Sequence, residues 1–478
     1  MNLDFAMGKW MEALIAFRRA KQKLQLPGQK WTPNQKIKLL FAGYNGTRNT
    51  GADVRVEETI RQISHVLGED QVDMTVLSID PKKTEGYFPK ARQKKLAKIF
   101  PPFLFSECPK YHGVVACEGS MFKSKFANAL STMMAGALGL SGVDHKLGVG
   151  YGAEVGHMTS DLEAFVKKSC QDALIICRNE RSREALNHLG IRNLGGTDTA
   201  WTFSPSPRAR GAEILKELGW DGKKEILYVC PINPFWWPVK PHLFKFLKLK
   251  ILGKHRDTHY QSIYFHEYND QDRRRYETYL KALAHAIRVI QSKKNVFPVL
   301  VAMESLDVHA CRDLAKLLEN NPPILWSEEV TMHDLVSTLR HGTYIISSRF
   351  HAIVTSMPGL VAPLGVTMDE RIENLLTDAK LSDYVLDATD EQLEEKLVAK
   401  IDLYLSNKST IKKNIKSFIP KQLKLMAGMG KDFLDEVHRV YPEFPKNSEL
   451  KTWKDFLPSL PEDVEALLLK PKKSKETS

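Results

Sequence analysis

From Lys36 to Phe203 the chain alternates short runs of β-branched and aliphatic residues with longer segments whose apolar positions recur at helical spacing. Strands are predicted at Ile37–Ala42, Asp73–Ser78, Val114–Cys117, Leu147–Tyr151 and Leu174–Cys177. The intervening helices fall at Arg55–Leu67, Ser124–Leu138, Asp161–Ser169 and Ser182–Leu189. Short strands joined through helices form βαβ units, so the pattern dictates a mainly parallel sheet covered on both faces. A turn-rich stretch, Ser204-Pro-Ser-Pro-Arg208, interrupts it. The alternation restarts at Ile226–Pro231 and continues through a helix at Asp272–Gln291. Strands at Phe297–Ala302, Ile324–Trp326, Tyr344–Ser347 and Ala362–Val366 follow. Glu391–Phe418 and Lys421–Val440 read as closing helices. The chain is thus α/β, with two doubly wound domains, 37–205 and 206–400, facing a cleft. The closing helices (401–445) and a tail (446–478) come last, and a basic amphipathic helix (1–36) comes first.

Net charge is +12, but it is unevenly placed. Residues 1–36 carry +5, 235–256 carry +6 with no acid, and 470–478 carry +3, which leaves the rest slightly acidic. Basic appendages on a near-neutral body, without a recognisable nucleic-acid motif, argue against nucleic acid as partner. Residues 1–24 place Leu3, Met7, Trp10, Met11, Leu14, Ile15 and Phe17 roughly on one helical stripe ahead of the cluster Arg18–Lys23. Segment 235–252 interleaves Phe235, Trp236, Trp237, Phe244 and Phe246 with lysines. That is the chemistry of an anionic membrane surface, with tryptophans anchored among headgroups, and equally of helices packed on a body with snorkelling lysines. The tail Lys470–Ser478 reads as a solvated end. No run reaches the ~20 apolar residues of a membrane span, and the N-terminus lacks a secretory signal's order. Six cysteines without a CxxC pair suit a reduced, cytoplasmic chain, peripheral at most on the inner membrane face.

In doubly wound sheets ligands bind at the carboxyl ends of strands. The first such loop, Gly43 to Asp53, offers Asn49, Gly51 and Asp53, with Arg48 as a charge and Asp53 as an alternative helix cap. The second is Cys117-Glu118-Gly-Ser-Met121, where Glu118 could accept hydroxyl hydrogens or merely close a turn. In the third, Arg178 stands at a strand end, while Ser182 is expected to cap the next helix. The fourth, Ser347-Ser-Arg349-Phe-His351, sets a hydroxyl, a guanidinium and an imidazole at alternate positions, a set able to hold phosphate and move a proton near neutral pH. No His, Cys or acidic cluster shows metal-ligand spacing, so no metal is expected.

These loops, together with Gly148-Val-Gly-Tyr-Gly152, Asp198-Thr-Ala-Trp201 and Asp369-Glu-Arg371, resemble the polysaccharide pyruvyl transferase family over about residues 37–390. The sequence departs from the family pattern where Gly51-Ala-Asp53 replaces Gly-Asp and where Arg371 stands for a lysine. The resemblance implies two Rossmann-like domains of the glycosyltransferase-B-like kind. It implies transfer of pyruvate, as a ketal, from phosphoenolpyruvate to a cell-surface or lipid-linked glycan, with phosphoenolpyruvate as co-substrate and no further cofactor. On that basis His351 and Arg349 are the candidate catalytic pair, and Arg178, Ser347 and Arg371 bind the donor. Asn49, Gly51, Asp53, Glu118 and Asp198 line the acceptor side. Two other readings stand beside it: a sugar-nucleotide glycosyltransferase of similar architecture, and a non-catalytic glycan-binding protein at the membrane.

Overall fold

Both strand series form parallel sheets in the computed structural model, which describes residues 3–23, 30–256, 259–261 and 263–469. The expected solvated end at 470–478, and the stretch 24–29 of the N-terminal basic segment, lie outside the described residues. The first sheet is built from β1 (Ile37–Ala42), β2 (Val72–Ser78), β3 (Arg92–Lys95), β4 (Gly113–Ala116), β5 (Leu147–Ala153), β6 (Leu174–Cys177) and β7 (Asn193–Gly195). Its spatial order is β3-β2-β1-β4-β5-β6-β7. A later sheet takes β8 (Glu225–Cys230), β12 (Val296–Ala302), β13 (Ile324–Trp326), β14 (Tyr344–Ser347), β15 (Ala362–Thr367) and β16 (Val385–Asp387). Between β8 and β12 the chain adds β9 (Val239–Pro241), β10 (His259–Gln261) and β11 (Tyr264–His266), a small antiparallel sheet. The second large sheet runs β13-β12-β8-β14-β15-β16, so both repeat one winding order with the reversal beside the first strand of each. Beside those reversals lie the loops after β1 and β4 in one sheet, and after β8 and β14 in the other. The two-domain α/β architecture is the expected one.

The chain divides into two compact units. One gathers the residues up to Thr199 with Asn233–Glu277 and Leu425–Leu457; the other holds Ala200–Ile232, Thr278–Lys424 and the residues from Pro458. Segment 235–256, which falls inside the span 206–400 expected to form the second domain, therefore packs with the first. Val239 N donates to Phe126 O, Tyr264 Oη to Asp4, and Tyr260 Oη to Tyr44 Oη. Linear order could not reveal this, because the contacts are with residues more than a hundred positions upstream.

In the first unit the helix Asn128–Val143 is apolar nearly all round and is buried almost throughout, as a helix covered on both sides must be. The N-terminal helix Leu3–Lys23 supplies one cover, burying Met11 and Ile15. Glycines at 136 and 139 form its seat: a Cβ on Gly136 would stand 2.6 Å from Met11 Cγ. Arg18 closes the contact with paired bonds of 2.7 and 2.9 Å to Asp144. At the amino end of β4, His112 Nδ1 accepts from Lys38 N at 2.9 Å. Lys146 donates to the carbonyls of Pro109 and Tyr111 at 2.7 Å each.

The closing helices break elsewhere than expected. The first ends at Ser406 and the second runs Lys408–Val440 with Pro420 inside it. Asn407 supplies the break: its N–H still bonds Leu403 O while its own carbonyl starts the next helix by accepting from Ile411 N. All six cysteines are buried and reduced.

Candidate functional site

Two clusters of charged side chains stand at the carboxyl ends of the strands, one in each unit. In the first unit, the helix Thr50–Leu67 begins at Asn49, whose side chain caps it by accepting from Ala52 N at 3.1 Å. Asp53 is fully buried and receives Gly46 N at 3.3 Å, so it braces the turn rather than capping the helix as the sequence suggested. Gly51 is buried in the first turn. One turn on, Arg55 is completely buried and aims its guanidinium at the strand ends. It donates to Cys117 O at 3.1 Å and Gly152 O at 2.8 Å, and its Nε lies 3.0 Å from Asp198 Oδ2.

Arg178, after β6, shares that carboxylate at 3.1 Å and also pairs with Glu154, which follows β5. The result is two guanidinium and two carboxylate groups in mutual contact with little water, each charge matched. Gly119 permits the close packing: a Cβ there would meet Arg178 Nη1 at 2.8 Å and Arg55 Nη1 at 3.1 Å. Glu118, beside it, accepts Ser120 N at 3.3 Å through one oxygen, while its other oxygen is buried and accepts no hydrogen bond among the described residues. The structure thus brings Arg178, Glu118 and Asp198 to one end of the sheet. Asn49, Gly51 and Asp53 instead shape the neighbouring loop. Arg55 and Glu154 were not singled out in the sequence, because Arg55 reads as the start of a helix and not as part of a strand-end loop, and Glu154 lies one residue past its strand; only the fold shows their direction. Ser182 is not the helix cap: Asn179 is, accepting Ser182 N at 2.9 Å, and Ser182 Oγ receives Val155 N at 3.0 Å.

In the second unit β14 ends in Ser347, whose Oγ accepts Arg349 N at 3.0 Å and donates to Arg349 O at 2.9 Å. That reciprocal turn fixes the backbone from which the Arg349 side chain departs. Its Nε donates to Asp307 Oδ2 at 2.8 Å and its Nη2 to Glu304 Oε2 at 2.9 Å. Nη1 enters none of these bonds, and the side chain keeps 17% of its surface exposed. Burial works against the charged guanidinium, but Asp307 and Glu304 outweigh it and raise the Arg349 pKa above the ordinary value. Burial also lifts the Asp307 carboxyl, against the pull of Arg349 and with Glu304 adding its own negative charge.

Glu304 comes from the loop directly after β12 and Asp307 from the first turn of the helix Asp307–Ala315 that follows, an acidic pair three residues apart that the sequence displays but that gains meaning only beside Arg349. Ser348 is tied to Tyr279 Oη at 2.8 Å. His351, half-buried, lies in the first turn of the helix Phe350–Ser356 with its ring 5.0 Å from that of Phe350. After β15, Asp369 caps the helix Glu370–Asp378 and receives Arg371 Nε at 2.8 and 2.9 Å. A rigid, permanently charged guanidinium, two serine hydroxyls and an imidazole therefore fall within five consecutive residues at the end of one strand. They have the makings of an anion site with a proton donor beside it.

A family model described as polysaccharide pyruvyl transferase matches residues 80–357, more than half of the chain and the whole span from β3 to His351. No curated protein sequence matches. Among solved structures, the putative UDP-N-acetylglucosamine 2-epimerase from Listeria monocytogenes is 12% identical, with a TM-score of 0.50 over 84% of this chain and 97% of that one. The UDP-GlcNAc 2-epimerase from Neisseria meningitidis is 11% identical, with a TM-score of 0.47 over 79% and 94%. The E. coli ADP-heptose lipopolysaccharide heptosyltransferase II is 10% identical, with a TM-score of 0.38 over 78% and 100%. The first of these likenesses supports the two-sheet Rossmann-like architecture.

Proposed function

Because the chain belongs to the polysaccharide pyruvyl transferase family, and is thus a transferase acting on a glycan, we propose that its donor is phosphoenolpyruvate and its product a pyruvate ketal. The acceptor in this reading is a cell-surface or lipid-linked glycan, met by a protein resting on the inner membrane face. The observation that supports it is Ser347-Ser-Arg349-Phe-His351 at the end of β14, beside the reversal of strand order and inside the matched span.

Phosphoenolpyruvate carries a phosphate and a carboxylate on one small enol, so it needs fixed guanidinium donors. Arg349 meets that need: Asp307 and Glu304 hold two of its nitrogens and leave Nη1 to the donor. Arg371 adds a guanidinium in the same unit, and Ser347, whose hydroxyl hydrogen goes to Arg349 O, fixes the backbone from which Arg349 departs. Arg178, the other arginine that the family resemblance assigns to the donor, is paired with Glu154 and Asp198 in the first unit. A proton from His351 goes to the methylene carbon, the C=C electrons form the new C–H bond, and C2 becomes electrophilic. One glycan hydroxyl adds to C2; the C2–O bond to phosphate breaks, and the second hydroxyl closes the ketal. Of the two hydroxyl protons, one replaces that given by His351 and the other leaves with phosphate. Glu118 and Asp198, with Asn49, Gly51 and Asp53 shaping the adjacent loop, are assigned to the acceptor.

Phosphate release should require both phosphoenolpyruvate and a glycan when a panel of acceptors is assayed. Release of a nucleoside diphosphate from a sugar nucleotide, with no phosphate released from phosphoenolpyruvate, would replace this reading with glycosyl transfer.

A further inference from the structure

Segment 235–252 divides into two parts that behave differently. Its tryptophans are half-buried and engaged: Trp236 stacks on His266 at 4.8 Å, and Trp237 meets Phe126 at 5.1 Å and Tyr260 at 5.3 Å. They are packing groups rather than the headgroup anchors that the sequence allowed. The ten-residue helix Leu243–Leu252 that follows buries none of its residues. Leu243, Phe244, Leu247, Ile251 and Leu252 are 49–77% exposed, the densest group of exposed large apolar side chains among the described residues.

At 3.6 residues per turn, Phe244, Leu247 and Ile251 share one face, with Lys248 on one flank and Lys250 on the other. Lys248 lies 4.5 Å from the Phe244 ring and Lys250 5.6 Å from the Phe246 ring. Lys254 and Arg256 continue the positive charge past the Gly253 cap, and no acid occurs from 235 to 256. The helix is also firmly mounted. His242 N donates to Ile263 O at 2.8 Å, Lys245 lies 5.9 Å from the ring of Phe265, and Phe265 is fully buried.

We infer that the Leu243–Leu252 helix docks the protein on an anionic lipid bilayer, its Phe244–Leu247–Ile251 stripe entering the acyl boundary and its lysines pairing with lipid phosphates. An apolar stripe kept in water costs free energy that a partner must recover. A second copy of this helix would set Lys248 and Lys250 against their own kind, whereas an anionic bilayer supplies both the apolar layer and the counter-charge. No helix among the described residues is long and apolar enough to cross a membrane, so this is attachment at the interface. The inference extends the reading of a lipid-linked acceptor by naming the surface that would bring the protein to it.

Flotation of the full-length protein, without donor or glycan, tests it separately from the enzymatic reading. The vesicles are phosphatidylcholine alone or phosphatidylcholine mixed with phosphatidylglycerol. Wild type should float with the mixed vesicles only, and less as salt rises. Lys245→Glu/Lys248→Glu/Lys250→Glu should lose roughly a hundredfold in partition, at about a factor of five per lysine. Phe244→Ser/Leu247→Ser/Ile251→Ser should also stay in solution. Both variants should keep wild-type melting temperature and phosphate release with a soluble acceptor, since none of these side chains is buried. Retained flotation of either variant, flotation with neutral vesicles alone, or no flotation of wild type overturns the inference. So does a halving of solution mass in the serine variant, which would make the stripe a contact between copies.

Discussion

Arg349 owes its usefulness to its neighbours. A lone guanidinium on a long stem samples many rotamers, whereas one gripped by Asp307 and Glu304 presents a single free edge. Arg349→Ala should abolish donor-dependent phosphate release. Glu304→Gln, which keeps the shape but weakens the grip, should raise KM for phosphoenolpyruvate more than it lowers kcat; initial-rate kinetics at saturating acceptor would check both. His351→Ala should slow the chemical step by ~10² or more with little change in donor affinity, and single-turnover rates would distinguish chemistry from binding. His112 has no such role. Burial first, then the charges of Lys146 and Lys38, push its imidazole down to about 4, so the folded chain prefers it neutral. The unfolded value is near 6.5. The corresponding stability is therefore present above about pH 6.5 and is lost as pH falls through 4. Melting temperature should decline over that window, and His112→Gln should flatten the decline.

Secondary elements follow local rules, and most were legible in the sequence for that reason. β1, β6, β13 and β14 fall at the expected residues because each is a short β-branched or aliphatic run closed by small or polar residues. β3, Arg92-Gln-Lys-Lys95, was not legible: an exposed polar edge strand carries no apolar signal. The helix through Pro420 contradicts a sound general rule, since proline normally ends a helix, and here the chain breaks at Asn407 instead. Glycines 136 and 139 show what a sequence hides: they read as weak helix formers, yet they are where the N-terminal helix approaches closely. Gly136→Leu should cost about 1–3 kcal/mol through overpacking against Met11, read as a lower melting temperature, with phosphate release intact below the transition.

Across the molecule, chain order misled where long-range contacts rule. The added segment after β8 belongs with the first unit, through Phe126, Asp4 and Tyr44, none of which adjoins it in sequence. The paired charges Arg55–Asp198 and Arg178–Glu154 likewise join residues of four different segments. What survived from sequence to site was the habit of doubly wound sheets to expose chemistry at strand ends, which picked out Arg178, Glu118 and Ser347–His351 before their partners were known.

Mass spectrometry of a glycan incubated in D2O with this protein and phosphoenolpyruvate tests the whole account. It predicts one pyruvate ketal on the glycan, a single deuterium in its methyl group delivered at the methylene carbon, and one phosphate released per ketal. A glycan left unchanged by phosphoenolpyruvate but extended from a sugar nucleotide would contradict it.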